Sequence, residues 1–150
     1  MKLHHIGIIT DNIQSDAAAY EFVGYQKFGE PVIDDIQKNE LLFMRNACSG
    51  ETIELIEPID RKSTVASAKK GIAHLCYEVN DLEATLSRIK REHLGVIFTE
   101  ILLAPALGNG RIAFVYYKGG VVLELFEPKK TDWHYAYDEP NVSGESKESL

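Results

Sequence analysis

Cysteine, basic charge and long apolar runs are all scarce in this chain, and each shortage removes a class of function. There are two cysteines, Cys48 and Cys76, at non-equivalent places in the two halves of the sequence. That is too few for a disulfide framework, and both are expected to be free thiols. Lys and Arg number 16 against 23 Asp and Glu, for a net charge of −7 and a pI near 5.2. No stretch interleaves basic and aromatic residues densely enough to track phosphates, so nucleic acid is excluded as an expected partner. No apolar run approaches the length that spans a bilayer, which excludes a membrane partner. The first residues run straight into a strand-like segment without the succession of a signal peptide, so a cytoplasmic location is expected.

What is present is a repeat. Residues 51–58 read ETIELIEP and residues 121–128 read VVLELFEP, which sets Glu54 over Glu124 at an offset of 70. His5-Ile-Gly-Ile-Ile-Thr-Asp-Asn-Ile and His74-Leu-Cys-Tyr-Glu-Val-Asn-Asp-Leu repeat at an offset of 69. The chain has 150 residues and 45% hydrophobic content, enough for one ordinary core. Two sub-repeats of about 60 to 70 residues would be marginal alone and gain by packing together.

The local pattern is the same in both halves. Alternation over 3–10 predicts a strand, Asp11-Asn12 stops it, and a short helix follows over 15–22. Gly24 and Gly29 break the next region, and strands over 37–45 and 51–57 pair as a hairpin ended by Pro58. Residues 59–71 form a polar bridge with a helical turn expected at 65–70. The second half gives a strand over 72–79, an amphipathic helix over 82–93, and strands over 96–100, 111–117 and 121–127, the last two joined at Gly119-Gly120. The reading is an α+β fold of two tandem βαβββ modules, about 1–58 and 72–128, within a single domain over 1–130. Residues 131–150 read as a tail in which Trp133, His134, Tyr135 and Tyr137 dock on the body or close over a site, and 143–150 are disordered.

Strand alternation puts His5 with Gly7 and Ile9 and turns His4 away. Glu54 sits between Ile53 and Leu55, and Glu124 between Leu123 and Leu125. A carboxylate in an apolar strand must neutralise or find a cation. Each residue alone reads as an ordinary surface or hydrogen-bonded group. In register across a repeat, His5, Glu54, His74 and Glu124 read as ligands of one divalent metal, with Zn, Ni, Co, Mn and Fe equally open. Glu57 and Glu127 are expected as strand-end charges in solvent, Cys76 as a small core filler, and His4, His93 and His134 as surface residues.

At these residues the chain resembles the vicinal oxygen chelate superfamily of glyoxalases, methylmalonyl-CoA epimerases, extradiol dioxygenases and bleomycin-resistance proteins. The resemblance spans about residues 3 to 128. It is carried by Leu3-His-His-Ile-Gly-Ile, by Gly71-Ile-Ala-His-Leu-Cys-Tyr-Glu-Val-Asn-Asp-Leu-Glu, and by Arg111-Ile-Ala-Phe with Gly120-Val-Val-Leu-Glu-Leu. It implies a cup-shaped mixed sheet, the same four metal ligands and a homodimer. The second half is most similar to the epimerases, which implies a metal-dependent epimerase or isomerase that removes a proton next to the carbonyl of an acyl-CoA or thiol adduct. Glu124 would be the leading base and Glu54 its partner, with Asp34 or Asp35 as a further candidate; Lys38, Arg45, Lys69 and Lys70 are available for phosphates. Epimerases carry glutamine where this chain has Glu54, a glyoxalase-like choice. The alternatives are therefore a lactoylglutathione lyase and a non-catalytic binding or resistance protein.

Overall fold

Burial on both faces of one strand explains its continuous apolar run, Leu41-Leu-Phe-Met44. A computed structural model describes residues 1–130. The first half comprises β1 (Lys2–Ile9), α1 (Ile13–Phe22), β2 (Tyr25–Lys27), β3 (Val32–Asp34), β4 (Asn39–Asn46) and β5 (Thr52–Pro58). The second repeats it with β6 (Gly71–Glu78), α2 (Leu82–Arg91), β7 (Gly95–Ile97), β8 (Leu102–Ala104), a 3-10 turn at Pro105–Leu107, β9 (Gly110–Tyr117) and β10 (Val121–Glu127). The strands form one open mixed sheet in the order β2-β4-β5-β1-β6-β10-β9-β7, with β3 also on β4 and β8 also on β9. The order reads the same from either end, so a pseudo-twofold passes between β1 and β6. These two strands run antiparallel, and each is parallel to its other neighbour, β5 or β10.

The α+β class and mixed sheet agree with the sequence reading, but each half contains one more strand than expected. β2 with β3, and β7 with β8, are three-residue strands that pair in turn with the same long neighbour. Strands so short do not display a period of two. The helical turn expected at 65–70 is a hydrogen-bonded turn in which Ala68 N donates to Val65 O at 3.0 Å, and α1 begins at Ile13 rather than Ser15 because Asn12 is the cap, its side chain accepting from Ser15 N at 2.9 Å. Asp81 caps α2 in the same way through Ala84 N. That helix stops at Arg91, and His93 beyond it adopts a φ of 53°, in the left-handed region.

Packing follows the alternation. On the outer face Leu42, Met44, Ile53 and Leu55 bury against Ile13 and Ala17 of α1. Ala113, Val115 and Leu125 bury against Leu82 and Ile89 of α2. The opposite, concave face carries Leu41, Phe43, Ile56, Cys76, Ile112 and Phe126. Full burial of each large side chain contributes about 1.5 to 3 kcal/mol. Among the described residues no helix is long and apolar enough to cross a membrane. The aromatic cluster expected to dock from residues 133–137, and the disorder expected over 143–150, lie outside the described residues.

Candidate metal centre

Two rows of four residues cross the concave face. In the first, Phe43 pairs with Glu54, Glu54 with Gly7, and Gly7 with His74, on β4, β5, β1 and β6 in turn. In the second, Phe114 pairs with Glu124, Glu124 with Cys76, and Cys76 with His5, on β9, β10, β6 and β1. The pseudo-twofold exchanges the rows. Each is phenylalanine, glutamate, small residue, histidine, so inner strands supply imidazoles and outer strands supply carboxylates.

The small residue makes room for a ring. A Cβ on Gly7 would fall within the His74 imidazole. Phe43 and Phe114 set their rings at steep angles to His5 and His74, with centroids 5.3 and 5.5 Å apart. Sequence reading named the four polar members of these rows but neither phenylalanine. Their offset of 71 was visible in Leu42-Phe-Met44 and Ala113-Phe-Val115, yet phenylalanine in a strand reads as ordinary core.

His5, Glu54, His74 and Glu124 are all buried, and one donor atom of each lies within 4.8 Å of the others. Glu124 Oε2 is 3.2 Å from His5 Nε2 and 2.9 Å from His74 Nε2, and the two Nε2 atoms are 3.3 Å apart. Glu54 Oε1 stands farther out, at 3.7 and 3.9 Å from the same nitrogens. Donors about 2.0 to 2.2 Å from a common divalent ion are separated by about 2.8 to 3.6 Å along the edges of a tetrahedron or octahedron. The two histidines and Glu124 have that spacing, and Glu54 is the looser fourth.

Electrostatics point the same way. Glu124 Oε2 is buried and lacks a hydrogen bond of good geometry. Burial pushes the Glu54 carboxyl well above its usual range, and the charges of Glu124 and Asp34 push it further. Burial also opposes ionisation of Glu124, but His74 and His5 outweigh it and hold that carboxyl below the usual range. His5 is lowered chiefly by burial and so is held neutral, the form that coordinates a metal. Two carboxyl groups and two imidazoles buried together, with Glu124 Oε2 left without a well-formed hydrogen bond, are a donor set that a divalent cation fits.

The quartet forms part of the wall of a cavity of about 370 Å³ lined mainly by apolar side chains, Leu41, Ile56, Leu102 and Leu107 among them. Phe98 and Tyr116 stack at 4.0 Å near its mouth. Asp34 also lines it and is buried, but its Oδ1 accepts from Ile36 N and Gln37 N and its Oδ2 from Gln37 Nε2. Asp35 is exposed and pairs with Lys38. Of the four cations singled out from the sequence, only Lys69 lines the cavity; Lys70 pairs with Asp11, and Arg45 donates to Gly50 O.

Three sequence expectations are corrected here. His4 is not a surface residue turned away from His5. The β1–β6 register shifts between Leu3 and His5, which breaks strict alternation, and His4 Nδ1 lies 2.8 Å from His5 Nδ1. Burial, followed by the charge of His5, lowers the His4 pKa to about 3. Glu57 and Glu127 are not solvent charges either. Glu57 Oε2 accepts from Ile13 N at 2.8 Å and Glu127 Oε2 from Leu82 N at 2.7 Å, so each strand end holds the first turn of its module's helix. His93 is exposed and Cys76 fully buried, as read; His134 lies outside the described residues.

Comparisons with known proteins give the family. Residues 4–114 match the family model of the Glyoxalase/Bleomycin resistance protein/Dioxygenase superfamily. The chain is 29% identical over 135 residues to a mitochondrial methylmalonyl-CoA epimerase of Dictyostelium discoideum, covering 84% of this chain and 78% of that protein. It is 28% identical over 94 residues to an ethylmalonyl-CoA/methylmalonyl-CoA epimerase of Cereibacter sphaeroides, covering 59% of this chain and 69% of that one. The crystal structure of methylmalonyl-CoA epimerase from Mycobacterium tuberculosis superposes with a TM-score of 0.71 at 28% identity, covering 85% of this chain and 87% of the other.

Proposed function

The chain belongs to the Glyoxalase/Bleomycin resistance protein/Dioxygenase superfamily, and from that premise we propose that it is a metal-dependent epimerase acting on an acyl-CoA thioester. The observation that carries this reading is the buried quartet of His5, Glu54, His74 and Glu124, converging beside an apolar cavity. Similarity to methylmalonyl-CoA epimerases supports the substrate class. A divalent ion of Zn, Ni, Co, Mn or Fe held by these four residues would supply a Lewis acid against charge developing on the substrate's carbonyl oxygen.

The chain's own groups would do the rest. Glu124 is the leading base for the proton next to the carbonyl. Glu54, carried on the strand that flanks the opposite side of the central pair, is the group that delivers a proton to the other face. Its longer distances to both imidazoles leave it the freer of the two carboxylates. Apolar walls around Leu41, Ile56 and Leu107 would exclude water from the acyl group, and Lys69 would meet the phosphates of the carrier. Asp34, with both oxygens already engaged, is the weaker base.

A second reading, a glyoxalase-type lyase on a thiol hemithioacetal, is favoured by one observation, the carboxylate of Glu54. The test is exchange of the α-proton of methylmalonyl-CoA in D2O, followed by proton NMR with metal-loaded protein. Exchange by the wild type that falls about 100- to 10,000-fold in Glu124→Gln supports the epimerase. Conversion of the methylglyoxal–glutathione hemithioacetal without thioester exchange replaces it with the lyase.

A further inference from the structure

We propose that His4 is a positioning residue that places the proton of His5 on Nδ1 and leaves Nε2 free to face the centre of the quartet. The inference rests on the metal reading of that quartet. Every contact of His5 with the other three members runs through Nε2, whereas its Nδ1 points the opposite way and lies 2.8 Å from His4 Nδ1. Two ring nitrogens at that distance share one proton, and there are two ways to place it. If His4 donates, a neutral His5 carries its own proton on Nε2 and cannot coordinate. If His5 donates from Nδ1, Nε2 presents its lone pair and His4 keeps its proton on its own Nε2. A histidine ligand is oriented by the hydrogen bond its other nitrogen makes, and here that partner is a second imidazole.

The backbone is built to make this contact. In a regular strand His4 and His5 would point to opposite faces, and the register shift between Leu3 and His5 brings their rings together. The His4 ring is set edge-on to Phe126, 5.2 Å between centroids, and Phe126 is fully buried, which limits its rotation. The device is asymmetric. At the repeat offset of 69, His4 corresponds to Ala73, so the position beside His74 that is equivalent to His4 carries no imidazole. The two histidines of the quartet therefore differ in how their protons are set, although the rows that carry them are otherwise equivalent.

The experiment has two readouts. Long-range nitrogen–proton NMR on the ¹⁵N-labelled full chain assigns the His5 tautomer without metal and again with Zn²⁺. The Co²⁺ affinity and visible absorption band are then compared for wild type, His4→Phe and His4→Asn. Phenylalanine keeps a ring against Phe126 but accepts no hydrogen bond; asparagine offers Oδ1 near the position of Nδ1. The expected result is a proton on His5 Nδ1, a loss of Co²⁺ affinity of about 10- to 100-fold in His4→Phe with unchanged circular dichroism, and recovery of most of it in His4→Asn. A proton on His5 Nε2 in the wild type overturns the proposal, as does wild-type Co²⁺ affinity with an unaltered band in His4→Phe. Wild-type protein that takes up no Co²⁺ overturns the metal reading instead, and the tautomer then decides the His4 assignment without it.

Discussion

Gly7 lies directly across the sheet from His74, and the space a methyl group would need at Gly7 is occupied by the imidazole. The Gly7 position is therefore tied to the ring geometry of a strand 67 residues away, His74, rather than to any backbone twist of its own. Gly7→Ala is expected to push the His74 ring out of the quartet, destabilising the protein by about 1 to 3 kcal/mol and reducing metal uptake. Isothermal titration with Co²⁺ and a thermal melt check both; wild-type affinity in this variant would show that the ring has another place to sit.

Metal content tests the quartet itself. Protein purified without a metal-affinity tag is expected to hold about one divalent ion per chain by elemental analysis, and Glu54→Ala combined with Glu124→Ala to hold none. Adding metal at about 100 times its dissociation constant should stabilise the wild type by about 2.7 kcal/mol and leave the double variant unmoved. Equal shifts in both would place the ion elsewhere.

Glu57 and Glu127 accept from Ile13 N and Leu82 N at the starts of α1 and α2. Alanine at either position leaves an amide of the first helical turn without its acceptor, and each substitution is expected to cost about 1 kcal/mol, or about 4 °C in Tm. Glu127→Ala should cost the more, because Arg111 also bonds to Glu127, at 2.9 Å. Identical melts for the wild type and both variants would remove the helix-anchoring role.

Acid stability should depend on Glu83. Its bidentate pairing with Arg111 lowers its pKa from 4.5 to about 2. A carboxyl depressed in the folded state adds stability that is present above its unfolded value and is lost as pH falls through its folded value. The Tm advantage of wild type over Glu83→Gln should hold near pH 6 and disappear between about 4.5 and 2. The pair is exposed, so the effect is expected to be small and to shrink in high salt. An advantage that does not change over that window counts against the pairing.

The family also leads us to propose a homodimer. Sedimentation at high concentration should give a species of about twice 16.8 kDa. A single species at the mass of one chain sinks that proposal.

The repeat by itself determines which residues can share one site. Because side chains alternate in strands, two motifs that each put one histidine and one glutamate at matching positions can be stacked about a twofold only by bringing the four together. That is why His5, Glu54, His74 and Glu124 could be named from spacing alone, and why the α+β class and the helices expected over 15–22 and 82–93 followed from punctuation and period. Tertiary structure decided what alternation cannot express. A one-residue irregularity in β1 turned His4 from an apparent surface residue into the partner of His5. Side-chain reach brought Glu57 and Glu127 to helix starts more than forty residues away. Packing drew Glu124 closer than Glu54 to both imidazoles, although the two glutamates occupy equivalent places in the sequence. The sequence states a periodicity, and periodicity fixes faces; distances within a face depend on register shifts and on neighbours that only the assembled sheet brings into contact.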